Sequence, residues 1–169
     1  DFEYPGVRLV LEARLDRLKQ RIKIDLSTDD VITPSAIRYS YPLMFEDRNI
    51  ELMTYTPETL LAEKIQTILA RGITTTRMRD YYDVYEIVVG NKVSIDKKVL
   101  AEAFTATCMK RKTTFGSEQV EKIVNEISTD EGLLNLWDLY KNDNFYVGDI
   151  KWTVVCEAVC AYIKDNISK

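Results

Sequence analysis

The chain has 169 residues, 46% of them hydrophobic and 30% charged, and a formal net charge of −4. That is enough to build one packed domain or two small ones, and no apolar run approaches the about 18–20 residues of a membrane span. With no histidine in the chain, Ser-His-Asp and Cys-His catalysis and imidazole zinc sites are excluded, and the acidic balance excludes nucleic-acid binding spread over the whole surface.

The opening DFEYPG has neither the charged leader nor the apolar core of a secretory signal and no starting methionine, so the chain reads as a piece of a longer protein. Val7, Leu9, Leu11, Ala13 and Leu15 are apolar at every second position, which predicts a strand. A helix through Val7, Leu11, Leu15 and Leu18 fits the same residues, and the pattern leaves both open. Ile22, Ile24 and Leu26 then alternate with Arg21, Lys23 and Asp25 as a second strand. A further strand pair is expected over 37–45 and 50–55, joined by a turn over 46–49. Charge is uneven: positions 8–23 hold six cations against two acids, and positions 126–149 hold six acids against one lysine. Such a division permits one oriented site for a polyanion.

From Pro57 onward the period becomes helical. Thr56 can cap a helix with Pro57 in its first position; Leu60, Leu61, Ile65, Ile68 and Leu69 form its apolar stripe and Gly72 closes it. Lys64 falls off the centre of that stripe, so it must point to solvent or to a neighbouring helix. A second helix opens near Thr76, with Arg77, Arg79, Asp80 and Asp83 in its first two turns. Ser94 or Asp96 can cap a third carrying Val99, Leu100, Ala103 and Phe104. Ser117 starts a fourth through Val120, Ile123, Val124 and Ile127. A fifth runs through Leu133, Leu136, Trp137 and Tyr140, and a last through Trp152, Val155, Cys156, Val159, Tyr162 and Ile163. Cys108, Cys156 and Cys160 read as small buried residues in a reducing cytoplasm, since a structural zinc site needs four ligands and no second pair exists.

Lys64, Arg71, Arg77 and Arg79 occur between Glu63 and Asp80 with no acid among them. A local positive field beside paired carboxylates suits a nucleotide phosphate and its metal. The same residues also fit a plainer reading, because the helix dipole alone favours Asp80 and Asp83 near a helix start and Arg–Asp pairs are common on surfaces.

In order along the chain stand Lys23-Ile24-Asp25, Thr28-Asp29-Asp30, Pro34, Tyr55, Glu58, Ala62-Glu63-Lys64, Arg71-Gly72 and Arg77-Met78-Arg79-Asp80-Tyr81-Tyr82-Asp83. This series resembles the AbiEii/AbiGii family of nucleotidyltransferase toxins of abortive-infection and toxin–antitoxin systems. Two positions depart from the family pattern: Arg79 stands for a lysine, and Asp29-Asp30 for a Gly-Asp. The family's Gly-Ser turn and Asp-x-Asp pair have no counterpart before Asp25. The resemblance implies an α+β chain, with a partial nucleotidyltransferase-type sheet over 1–55 and an α-helical C-terminal domain over 56–169. It implies transfer of a nucleotide from a nucleoside triphosphate to an acceptor such as tRNA, with Mg²⁺ as cofactor and a cognate antitoxin as partner. By the same resemblance Lys64, Asp80 and Asp83 are catalytic, Lys23, Arg77 and Arg79 bind the nucleotide, and Asp25 is a metal carboxylate. Without the Asp-x-Asp pair, this piece alone is expected to be inactive. The alternative is a non-catalytic helical module that binds substrate or antitoxin.

Overall fold

The computed structural model describes residues 6–27, 31–90 and 93–167. Strand β1 (Gly6–Leu15) pairs antiparallel with β2 (Leu18–Ser27) through a two-residue turn, in which Asp16 adopts a left-handed φ of 54°. Tight hairpin turns need a positive φ, and aspartate tolerates it better than most residues. The register decides between strand and helix. Val7 lies opposite Leu26, Leu9 opposite Ile24 and Leu11 opposite Ile22, which collects the apolar side chains of both segments on one face. A helix over the same residues would leave Ile22, Ile24 and Leu26 without those partners. Arg8, Glu12, Arg14, Lys19, Arg21, Lys23 and Asp25 occupy the other face.

A second antiparallel hairpin joins β3 (Ile37–Pro42) to β4 (Asn49–Thr54). The strand expected to run to position 45 stops at Pro42, which has no N–H to continue a ladder. The Leu43 N–H donates to the Arg48 carbonyl at 3.1 Å, and Met44 and Phe45 lie exposed in the loop. The described strands thus form two separate two-stranded ladders.

Six helices follow. In α1 (Pro57–Arg71) the Thr56 hydroxyl accepts from the Thr59 N–H at 3.2 Å. Gly72, at φ 50°, ends the helix by donating its N–H to the Ile68 carbonyl. A single 3₁₀ turn, Gly72–Thr74, leads to α2 (Met78–Val89). Of the two expected caps for α3 (Lys97–Lys110), Asp96 serves, accepting from the N–H groups of Lys98 and Val99 at 2.8 and 3.2 Å. Then come α4 (Ser117–Thr129), α5 (Glu131–Asp143) and α6 (Trp152–Ile167).

The core is built by the helices: α1 packs on α2 and α3, and α6 packs on α2 and α4. Leu61, Ile65, Tyr81, Val84, Leu100, Val124, Leu133, Trp137 and Val155 have no exposed surface. Burying each such aliphatic side chain contributes about 1.5–3 kcal/mol. Trp137 also satisfies its indole N–H on the Ile150 carbonyl at 2.9 Å. All three cysteines are free and buried, as their spacing suggested, with the Cys156 and Cys160 sulfurs 3.7 Å apart. No helix among the described residues is long and apolar enough to cross a membrane. The change from strand to helix falls between Thr54 and Pro57, and two compact units divide earlier, residues 1–31 and 32–169.

Candidate functional site

The stripe of α1 is buried at Leu61, Ile65 and Ile68, and this rotation directs Lys64 sideways onto α2. The turn after Gly72 brings α2 back alongside α1. The Thr75 hydroxyl, itself buried, accepts from the Arg77 N–H at 3.1 Å, and the helix starts at Met78. That is two residues later than the expected opening near Thr76. Asp80 and Asp83, one turn apart on α2, both face Lys64.

The Lys64 ammonium donates to Asp80 Oδ1 at 3.3 Å and to Asp83 Oδ2 at 2.6 Å. Arg77 closes the cluster from the helix start, donating from Nε to Asp80 Oδ2 at 2.6 Å and from Nη2 to Oδ1 at 3.4 Å. Arg79 approaches Asp83 at 3.7 Å. Side-chain exposure is 4% for Asp80, 14% for Lys64, 26% for Asp83, 55% for Arg77 and 75% for Arg79. Asp80 is therefore a buried hub with both oxygens engaged, and Asp83 a half-buried bridge. Arg77 and Arg79 keep N–H donors in solvent. The Asp80 carboxylate also sits in the first turn of α2, where the helix dipole favours it and its bond to Arg77 holds that guanidinium proton more tightly.

These groups line a cleft of about 970 Å³ together with Leu60, Thr76, Met78, Tyr82, Glu86, Ile87 and Tyr140. The cations of the run stand beside carboxylates on this wall. Lys64, Arg77 and Arg79 meet Asp80, Asp83 and Glu86 in equal number, and Arg71 lines a different depression with Ile73 and Phe115. The run of cations in sequence has no acids within it, but the next helical turns of α2 supply them.

Lys23 and Asp25 lie on β2, in the first compact unit, both on the polar face of the hairpin. Asp25 accepts from Arg8 Nε at 2.5 Å and Nη2 at 3.0 Å, and this bidentate pairing holds its carboxyl below the usual carboxylate range. Thr28, Asp29 and Asp30 lie outside the described residues. Among the described residues no group of three or more carboxylate or thiol side chains is placed to hold a metal ion. Asp25 is paired with Arg8 in the first unit, and Asp80 and Asp83 are paired with Lys64 in the second. Glu58 is buried and accepts from the Asp96 N–H at 3.0 Å, which ties the start of α1 to that of α3. It belongs to the scaffold and not to the cleft.

Sequence reasoning placed Tyr140 on one helix with Leu133, Leu136 and Trp137, where it packs against the core, but gave Tyr140, Tyr82 and Glu86 no role in the site. The signal for Tyr82 and Glu86 was the spacing of Arg79, Tyr82, Asp83 and Glu86, which puts all four on one side of α2.

A family model described as the nucleotidyl transferase AbiEii toxin of type IV toxin–antitoxin systems matches residues 1–154. No curated protein and no solved structure matches the chain.

Proposed function

The chain belongs to the AbiEii family of nucleotidyl transferase toxins, and from that premise we propose that the α1–α2 cleft handles the phosphates of a nucleoside triphosphate during nucleotidyl transfer. The observation that supports this most is the ordered cluster of Lys64, Asp80, Asp83 and Arg77 on the wall of a cleft, with Arg77 and Arg79 still exposed beside it. In such a transfer the acceptor oxygen bonds to the α-phosphorus while the bond to pyrophosphate breaks, and negative charge grows on the departing oxygens. Fixed cations stabilise that charge without reorganising. Arg77 and Arg79 provide donors for the triphosphate, and Lys64 provides a positioned ammonium. Asp80, buried and doubly engaged, orients Lys64 and Arg77, and Asp83 steadies Lys64 from the solvent side.

Magnesium, when bound with the donor, would supply neutralisation of phosphate charge. Among the described residues no group of three or more carboxylate or thiol side chains is placed to hold it. The carboxylates that the family places as Asp-x-Asp before Asp25 are not in this sequence. Residues 1–169 are accordingly proposed to bind the donor without turning it over, with tRNA as the proposed acceptor and a cognate antitoxin as the partner that the type IV system implies.

The test is incubation of labelled nucleoside triphosphates and total RNA with the protein translated from its whole gene, beside residues 1–169 alone. Label on RNA from the first preparation, absent with Arg77→Ala/Arg79→Ala, supports the reading. Lack of label from the whole gene product, with any of the four nucleotides, would overturn it in favour of a non-catalytic binding module.

A further inference from the structure

Next to the charged wall of the cleft stands a group of rings with no part in the phosphate chemistry. Tyr82 and Tyr140 line the cleft itself. The ring centre of Tyr82 lies 6.4 Å from that of Tyr140 and 5.4 Å from that of Tyr146. Phe145 follows at 6.0 Å from Tyr146 and is 95% exposed. A chain of hydroxyls fixes the rings: Tyr146 donates to Asn144 Oδ1 at 2.8 Å, Tyr140 donates to the Tyr146 oxygen at 2.9 Å, and Tyr82 donates to the Tyr146 carbonyl at 3.3 Å. Trp137 backs Tyr140 from the core at 5.7 Å. The cluster is thus held in place from behind while its outer members stay in water.

Its position along α2 matters as much as its composition. Arg79, Tyr82 with Asp83, and Glu86 follow one another at helical spacing on the cleft side, over a rise of about 10 Å. A cationic donor comes first, then an aromatic face, then a carboxylate that repels phosphate. A ligand that is anionic at one end and flat at the other fits this order in one direction only.

We propose that Tyr82, Tyr140 and Tyr146, with Phe145 at the rim, form a stacking platform for an unpaired nucleobase whose phosphate lies against Arg77 and Arg79. This rests on the phosphate reading of the cleft and adds the part of the ligand that the charges do not address. Stacking tolerates any base, because each presents a π face, so the platform selects for nucleotide over plain polyphosphate more than for one nucleotide over another. The base belongs either to the free donor or to the single-stranded end of an acceptor RNA.

The experiment is equilibrium binding of residues 1–169 to three probes: a nonhydrolysable nucleoside triphosphate, inorganic triphosphate and a short single-stranded RNA. The wild type is compared with Tyr82→Leu and Tyr82→Phe. The expected result is that Tyr82→Leu weakens a base-bearing probe relative to inorganic triphosphate by about tenfold, and that Tyr82→Phe, which keeps the ring, restores the ratio. Weakening of the free nucleotide puts the donor's base on the platform, and weakening confined to the RNA puts the acceptor's base there. Unchanged ratios for both, with inorganic triphosphate still bound, would overturn the platform and leave the phosphate reading standing. If the wild type binds none of the three probes, both fail. Photo-crosslinking of 5-iodouridine probes to the wild type guards against misfolding of the leucine variant. Adducts on Tyr82, Tyr140, Tyr146 or Phe145 are expected, and adducts confined to other segments would overturn the proposal.

Discussion

Replacing Lys64 by methionine keeps the stem and removes the ammonium that joins α1 to α2. Breaking a buried ion pair by deleting one partner costs about 3–5 kcal/mol, because a charge is left without compensation. Here the loss is smaller, since Asp80 keeps two bonds to Arg77 and Asp83 is 26% exposed with Arg79 at 3.7 Å. We expect a loss of about 2–3 kcal/mol, from part of that penalty falling on half-solvated Asp83. For a domain of this size that lowers the melting temperature by about 5–10 °C. Thermal unfolding followed by circular dichroism reads it directly. The companion variant Lys64→Met/Asp83→Asn removes both charges and should recover about half of the loss, since a neutral amide tolerates the site better. A shift of Lys64→Met below about 0.5 kcal/mol would show that the ammonium is solvated in solution, as for an ordinary surface residue, and would refute the buried-cluster reasoning. Reading the helix positions as surface would predict that small shift; the burial of Asp80 argues for the larger one.

Two further outcomes follow from local geometry. Arg8→Ala should return the Asp25 carboxyl to its ordinary range, readable by NMR titration of its side-chain carbon, because the bidentate guanidinium is the largest cause of its depression. The sign is that of a carboxylate with a lowered folded value: the stabilisation is present above the unfolded carboxylate range and fades as pH falls through the folded one. Its size is small, since both side chains are exposed. Asp96→Ala should lower stability by about 1 kcal/mol in denaturant unfolding, because the N–H groups of Lys98 and Val99 lose their shared cap.

Where residue type carries its own local physics, the sequence was a good guide. Thr56-Pro57 and Gly72 bound α1 because a hydroxyl cap, a ring without an N–H and a positive φ each act within a few residues. The alternation of Val7–Leu15 acquired its meaning only from a partner strand, so spacing alone left helix and strand both open. The α1–α2 site was half legible. Lys64 off its apolar stripe had two destinations, and only the packing of α2 chose between them. Of the charges in the cleft, Asp80 and Asp83 beside the cations were legible from helical spacing, and Glu86, one turn beyond Asp83 on the same side of α2, went unread. The tyrosines were hidden most deeply, since Tyr82 and Tyr146 meet across 64 residues through a turn that no periodic pattern announces.

The central claim is that the Lys64–Asp80 wall meets phosphate. The most direct measurement is an NMR titration of residues 1–169 with a nonhydrolysable nucleoside triphosphate, reading the Lys64 Nζ and the Arg77 and Arg79 Nε resonances together with the backbone amides. The account predicts saturable shifts of those side chains and of the first turns of α2, with α4 silent. Saturable shifts elsewhere, with Lys64, Arg77 and Arg79 unmoved, would contradict it.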